Sequence, residues 1–394
     1  MRILVINYEY PPIGGGGGFV TRDILEAMAA KGHHVTIVTS GFNSLKEYEI
    51  RNGVEIIRAP ILGRKDIEVA SMASMLSYVP SGLIKTLGLE KVRRFQLINT
   101  HFAIPSGPLG FSLGKILGVP NVLSIHGGDI YDPSKALSPH RIPLLSMAVR
   151  FMLNHADLVV AQSRDTRQNA YQYHSAQCPI EIIPLGIKRP FFTKSTREQF
   201  GLKKEQIVFS TIGRLVSRKN LDNSLEIMAA LATEIDFQFM IMGYGPMYEP
   251  LQQKIRELGL DRHVRLLGNV SDEVKFQVLD LSDIYISTAL HEGFGLVFLE
   301  AMACGLPIMS YNRGGHTDFL KSHQTGFLIE LGDTKAFVRM LLDMARNKAL
   351  RLEMGRYNKD LAEHFYIDTC ADNYIRLFQS AIASKAKHGK QVLQ

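Results

Sequence analysis

Cysteine is scarce in this chain: three residues in 394, Cys178, Cys304 and Cys370, far apart and odd in number. That spacing argues against a disulfide framework or a cysteine zinc cluster and fits a reducing compartment. No apolar run reaches the roughly 18 residues a membrane helix needs. The opening Met1-Arg2-Ile3-Leu4-Val5-Ile6-Asn7 has no small-residue cleavage site after it, so a first strand of a cytoplasmic protein is expected there, not a secretion signal. Basic runs interleaved with aromatics are absent, as is zinc-finger spacing, and nucleic acid is not an expected partner. The chain also contains no Asp-x-Asp, the pair with which many transferases hold a metal-bound diphosphate. The nearest candidates, Asp129 with Asp132 and Asp280 with Asp283, have a different spacing, so no metal is expected.

What is present describes a globular chain, 46% hydrophobic and 21% charged, long enough for two domains. Net charge is +7, and nineteen Lys and Arg against fourteen Asp and Glu lie up to Lys188. A modest basic excess suits anionic partners: nucleotides, phosphorylated lipids or a membrane surface.

The first thirty-nine residues read strand, glycine loop, helix, strand. Ile3–Ile6 is an apolar run of the buried parallel type, Gly14–Gly18 is unbroken glycine, Thr21–Met28 opens a helix, and His34–Val38 is the next strand. The rhythm continues with strands at Gln96–Thr100, Asn121–Ile125 and Leu158–Ala161. A second series follows at Gln206–Ile212, Phe237–Met242, Val264–Leu267, Ile284–Ser287 and Pro307–Ser310. Two alternating β/α series predict two doubly wound parallel sheets, with ligand in the cleft at the C-terminal strand ends. The expected domains are 1–186, 187–375, and a C-terminal helix over 376–394 packing back towards the first.

The strongest local signal is His291–Pro307, where a strand enters a glycine turn and then a helix. Such a helix start presents unpaired N–H groups and a positive dipole end, which suit phosphate. Glu292 on the turn and Glu300 within the helix can each hold hydroxyls, one on a transferred sugar and one on a ribose. Singly, both read as surface glutamates; the whole string argues otherwise. A second signal is Gly213-Arg214-Leu215-Val216-Ser217-Arg218-Lys219-Asn220, directly after a strand. Gly213 permits a tight turn, and Arg214 and Lys219 suit a diphosphate, Arg as a planar fork and Lys as a point charge. Gly243-Tyr244-Gly245-Pro246 and Leu267-Gly268-Asn269-Val270 are strand-end loops where a nucleobase could lie. In the first half, His126-Gly127-Gly128-Asp129 follows a strand, with histidine and carboxylate placed either to meet a substrate or simply to close a turn.

Together these strings resemble glycosyltransferase family 4, retaining transferases of the GT-B fold: α/β, with two Rossmann-like doubly wound parallel-sheet domains facing a cleft. The match includes the glycine loop, HGGD from His126, IIPLGI from Ile182, GRLVSRKN from Gly213, GYGP, LGNVSDEV and the Glu292/Glu300 string. Asn220 departs from a usual glycine, and Asp318 from a frequent glutamate. The resemblance implies a retaining, metal-independent glycosyltransferase with no cofactor. It would move a sugar from a nucleotide-diphosphate sugar to a hydroxyl acceptor, a sugar or a lipid-linked cell-envelope glycan precursor. Arg214 and Lys219 would hold the diphosphate, Glu300 the ribose and Glu292 the transferred sugar. Gly293, Phe294, Gly295 and Leu296 would supply backbone donors, and Gly213, Gly243 and Val270 would complete the donor side. His126 would face the sugar from the other domain, with Gly15, Gly16 and Asp129 on the acceptor side. Glu292, His126, Arg214 and Lys219 are thus the catalytic candidates, and stabilisation of the departing diphosphate would supply most of the catalysis.

Other readings share parts of the pattern. A Rossmann dehydrogenase needs an acid ending the second strand, and Val38-Thr39-Ser40-Gly41 has none. A nucleotide-sugar epimerase or a non-catalytic nucleotide-sugar-binding protein could share the architecture. Residues 51–115 carry nine Lys or Arg against four Asp or Glu, with an apolar run over Ala70–Val79 and a basic cluster at Lys91-Val92-Arg93-Arg94. Peripheral contact with the inner face of a membrane is therefore expected, against the simpler reading of a helix packed on the first sheet.

Overall fold

The protein is described by a computed structural model covering residues 1–43, 45–65, 67, 70–89 and 94–391. It divides into two compact units: Met1–Lys188 with Ile367–Gln394, and Arg189–Tyr366. The return to the first unit thus begins at Ile367, earlier than position 376. The Ile367 N–H donates to the Ile187 carbonyl (2.8 Å), and the helix starting there runs unbroken from Ile367 to Gln391.

Unit 1 contains strands β1 (Arg2–Asn7), β2 (His34–Ser40), β3 (Tyr48–Arg51), β4 (Val54–Ala59), β5 (Leu97–His101), β6 (Asn121–Ile125), β7 (Leu158–Ala161) and β8 (Ile180–Ile182). Unit 2 contains β9 (Ile207–Ile212), β10 (Phe237–Met242), β11 (Val264–Gly268), β12 (Ile284–Ser287), β13 (Ile308–Tyr311) and β14 (Gly326–Ile329). The helices are α1 (Gly16–Ala30), α2 (Met72–Leu87), α3 (Gly107–Leu117), α4 (Pro143–His155), α5 (Arg164–His174), α6 (Leu221–Leu231), α7 (Tyr248–Glu257), α8 (Asp272–Leu281), α9 (Leu296–Ala303), α10 (Thr334–Arg346), α11 (Lys348–Ala362) and α12 (Ile367–Gln391).

The first sheet has the order β3-β4-β2-β1-β5-β6-β7-β8, parallel except for the short edge strand β3. The second is wholly parallel, in the order β11-β10-β9-β12-β13-β14. Strands such as Ile3–Ile6 and Phe237–Met242 are buried on both faces, so they read as continuous apolar runs, not alternating ones. The expected two doubly wound α/β sheets are present. In each, the strand order reverses at one place, between β1 and β5 and between β9 and β12. There successive loops leave the C-terminal strand ends on opposite sides and open a crevice. The glycine run and the loops after β9 and β12 all sit at these reversals. α1 starts inside the glycine run at Gly16, before the expected Thr21, with Gly15 as an N-cap that has no side-chain cap bond.

Candidate active site

In unit 2 three loop starts are stitched together by backbone. Gly213 donates to the Met242 carbonyl (3.0 Å), and Gly243 donates to the Gly268 carbonyl (2.8 Å). Glycine is required at Gly243: its φ is +137°, and a Cβ there would collide with the Gly213 carbonyl. The loops after β9 and β12 are then tied to each other. Leu290 donates to the Arg218 carbonyl (2.9 Å), and the Thr288 hydroxyl donates to the Asn220 carbonyl (2.8 Å).

This stitching delivers Arg218 and Lys219 to Glu292. Lys219 Nζ lies 2.5 Å from Glu292 Oε1, and Arg218 Nη1 donates to Glu292 Oε2 (3.1 Å) and to the His291 carbonyl (2.5 Å). Both cations come from the single turn Ser217–Lys219, so adjacent residues can reach one carboxylate. The Glu292 backbone is fixed from the other side, its carbonyl accepting from the Gly315 N–H (2.7 Å). Burial alone would raise the Glu292 pKa, but Lys219 and Arg218 hold it down to about 2. The carboxylate is therefore ionised at neutral pH, and the three groups together carry one net positive charge.

α9 begins just beyond. Gly295 is its N-cap in the left-handed region (φ +92°), and no side chain caps the helix start. Phe294 is buried against Phe319, ring centroids 5.3 Å apart, so its side chain serves packing and only its backbone faces the turn. Glu300, in α9, accepts from Lys275 Nζ of α8 (2.7 Å). Arg214 is exposed at the start of the loop, and Val270 lies between β11 and α8. Arg218 is the residue that the sequence motif left without a role. Its only signal was a second cation beside Lys219.

In unit 1, His126 follows β6. Its N–H donates to Asp129 Oδ1 (2.9 Å), and its carbonyl accepts from Gln162 Nε2 (2.6 Å). Asp129 corrects the expectation of a carboxylate open to substrate. Its Oδ2 accepts from the Ala103 N–H (2.7 Å), so both oxygens hold loop backbone. Burial pushes its pKa up to about 6. The His126 ring lies 4.5 Å from Phe102, whose φ of +71° is rare for an aromatic residue, and its Nε2 lies 2.8 Å from His101 Nδ1. Burial lowers the His126 pKa to about 4, so the ring is neutral at physiological pH. Gly15 and Gly16 border open space: a Cβ on either would meet no atom within 4 Å. The Gly15 N–H donates to Glu9 Oε2 (3.2 Å), a carboxylate that no motif had marked. Among the described residues no three His, Cys, Asp or Glu side chains gather as a metal site would need, and no helix is long and apolar enough to cross a membrane.

Comparison with known proteins gives the same reading for both units. The Glycosyltransferase Family 4 model matches residues 14–189, and the Glycosyl transferases group 1 model matches 192–361. The chain is 25% identical to the N-acetyl-alpha-D-glucosaminyl L-malate synthase of Bacillus anthracis, over 97% of each chain. It is 24% identical to an Escherichia coli UDP-Gal:alpha-D-GlcNAc-diphosphoundecaprenol alpha-1,3-galactosyltransferase, over 98% of each. Its fold is similar to sucrose-phosphate synthase from Thermosynechococcus elongatus, with TM-score 0.84, 20% identity, and 98% of this chain and 100% of that one covered. It is also similar to Anabaena HepE in complex with UDP-glucose, with TM-score 0.75, 18% identity, and 96% and 100% covered. The epimerase and binding-protein readings find no support among these relatives. Both halves are matched in the order in which their motifs occur, and the chain belongs to glycosyltransferase family 4, as a glycosyltransferase of the GT-B fold.

Proposed function

We propose that this enzyme transfers a sugar, with retention of anomeric configuration and without a metal, from a nucleoside diphosphate sugar held by unit 2 to a hydroxyl acceptor read by unit 1. The observation that carries this is the Arg218–Glu292–Lys219 fork at the strand-order reversal of the second sheet. With Arg214 on the same loop and the uncapped start of α9, it offers positive charge where a diphosphate would leave. Lys219, Arg218 and Arg214 take the diphosphate, Glu292 a hydroxyl of the transferred sugar, Glu300 the ribose, and His126 the sugar from the side of unit 1. The donor reading also draws on relatives and neighbours whose names specify UDP or GDP sugars.

A cytoplasmic enzyme that touches an anionic membrane surface is the companion proposal, and α2 favours it. Its buried face is Ser74, Tyr78, Gly82 and Thr86, whereas Met72, Leu76, Pro80 and Ile84 line its exposed face. On α4, Leu144, Met147 and Phe151 are exposed as well. α2, α3 and α4 carry Lys85, Lys115 and Arg150 and no acidic residue. Of the basic cluster at 91–94, Lys91, Val92 and Arg93 lie outside the described residues; Arg94 is exposed. A lipid-linked acceptor would be met at such a surface.

The test is thermal stabilisation by UDP-, GDP- and ADP-sugars in excess EDTA, followed by the anomeric configuration of the product. Binding at 100 times Kd stabilises by about 2.7 kcal/mol, so one base class should stand out. Stabilisation or turnover that appears only with Mg²⁺ or Mn²⁺ would overturn the metal-free reading, and an inverted product would overturn retention.

A further inference from the structure

The hydrogen bonds behind His126 fix the proton of each imidazole in turn. Asn99 and His101 lie two residues apart on β5 and so share a face of the sheet. Asn99 Nδ2 donates to the Val122 carbonyl (3.0 Å) and to Ser124 Oγ (3.0 Å). A backbone carbonyl can only accept, so the amide nitrogen must face Val122 and the amide oxygen must face away from it. That oxygen lies 2.8 Å from His101 Nε2, which therefore carries the proton. His101 is completely buried, and burial, with His126 adding to it, holds its pKa well below the ordinary value. The ring is neutral, with a lone pair on Nδ1. The Thr21 hydroxyl, 3.3 Å from that Nδ1, has its own proton on the Gly17 carbonyl (2.8 Å). Nδ1 thus accepts from His126 Nε2, 2.8 Å away. His126 is neutral too, so its Nδ1 bears a lone pair. That atom is buried and has no hydrogen-bond partner in the structure.

We propose that Asn99 and His101 are positioning residues that lock His126 in the Nε2–H tautomer, so that its Nδ1 accepts a hydrogen bond from a hydroxyl of the bound sugar. The proposal rests on the reading that His126 faces the sugar. Its chemistry is specific: an acceptor at this place rewards a sugar that carries a hydroxyl and leaves a buried lone pair unmatched when a deoxy sugar binds. The ring also lies against Phe102, and the Asp129 and Gln162 bonds fix the backbone that carries it.

Long-range ¹H–¹⁵N spectra of the histidine-labelled full chain read these tautomers directly. His101 and His126 are assigned by the signals lost in His101→Phe and His126→Phe. At pH 7 both rings should be neutral and protonated at Nε2, and Asn99→Leu should release them to mixed tautomers. His126 protonated at Nδ1, or a cationic His101, in the unaltered protein overturns the proposal whatever the variants do. Kinetics with the donor found in the panel above then separate the parts. His126→Phe and Asn99→Leu should each lower kcat/KM about fivefold to tenfold, the worth of one neutral hydrogen bond. Expected tautomers with unchanged kinetics in His126→Phe overturn the sugar contact. A loss in His126→Phe with Asn99→Leu unaffected overturns the relay alone, and leaves the wider donor reading standing.

Discussion

The carboxylate of Glu292 lies between Lys219 and Arg218, so replacing either partner of this cluster shifts its charge in a known direction. Glu292→Gln keeps the shape and adds one positive charge. It should lower kcat while leaving nucleoside diphosphate affinity equal or higher. Lys219→Ala removes a positive charge and should weaken the nucleotide by about 1.5–3 kcal/mol, roughly tenfold to a hundredfold. Titration calorimetry with the free diphosphate distinguishes the two; equal losses of affinity would show that Glu292 and Lys219 do not have separate tasks. The histidines set a pH window of their own. Burial lowers the pKa of His126 to about 4 and that of His101 well below 6.5, so between those values the unfolded chain binds more protons than the folded one. The two rings should therefore make stability fall as pH drops from about 6.5 towards 4, by up to about 1.4 kcal/mol per pH unit each. Asp129, raised to about 6, takes up its proton first in the folded chain and offsets the slope of one ring below that value. Urea unfolding across that range should lose most of this slope in the His101→Phe, His126→Phe double variant. Glu292 acts with the same sign over a lower range: its contribution is complete above the ordinary value of 4.5 and is lost progressively as pH falls from there to about 2.

Loops and helices explain which features were legible in the sequence. Asn220, where a glycine is usual, adopts φ +51° and ψ +39° as the N-cap of α6, the left-handed region that asparagine tolerates next best. Asn220→Gly should thus fold with unchanged or slightly higher stability, and Asn220→Val should lose about 1–2 kcal/mol; equal denaturation midpoints for both would contradict this. Parallel core strands were read from apolar runs because both faces are buried. The β3–β4 hairpin was also legible, since Asn52-Gly53 with φ +49° and +79° is a hairpin turn pair, yet neither strand was anticipated. The Glu292 string, and Arg214 and Lys219 in the loop after β9, were legible because the residues of each string are consecutive. Arg218, Asn99 and His101 were not, because their partners are set by which strands lie side by side: His101 meets His126 only because β5 pairs with β6. α2 packs on the first sheet through Met75, Tyr78, Val79 and Leu83, as the simpler reading expects, and a second apolar row of Met72, Leu76 and Ile84 is exposed. Leu76→Glu with Ile84→Glu should leave thermal stability within about 1 kcal/mol, as exposed sites usually do. The same pair should abolish flotation with phosphatidylglycerol vesicles, while vesicles of phosphatidylcholine alone bind neither form. Equal flotation of both forms would rule out this face.

On the scale of the whole molecule, unit 2 is a continuous stretch, whereas unit 1 is closed by a segment from beyond it. α12 packs along α1, with Lys31 paired to Asp372 (2.9 Å) and the Tyr374 hydroxyl donating to Ser124 Oγ (3.2 Å). A ribosome releases the residues of this chain in order, so all of unit 2 emerges before the helix that completes unit 1. Nascent domains usually mature from the N-terminus first; here the second half can reach its native state while the first still waits for its last element. A chain stopped at Tyr366 should therefore keep a protease-resistant core over 189–366 and lose resistance in 1–188. Equal protection of both stretches in that truncated chain would mean that α12 is dispensable to unit 1. Biogenesis then has an order built in. If the acceptor is read by unit 1 as proposed, its side is incomplete until the chain has been made through α12, and a stalled or truncated product should take up nucleotide without the surface that directs its sugar.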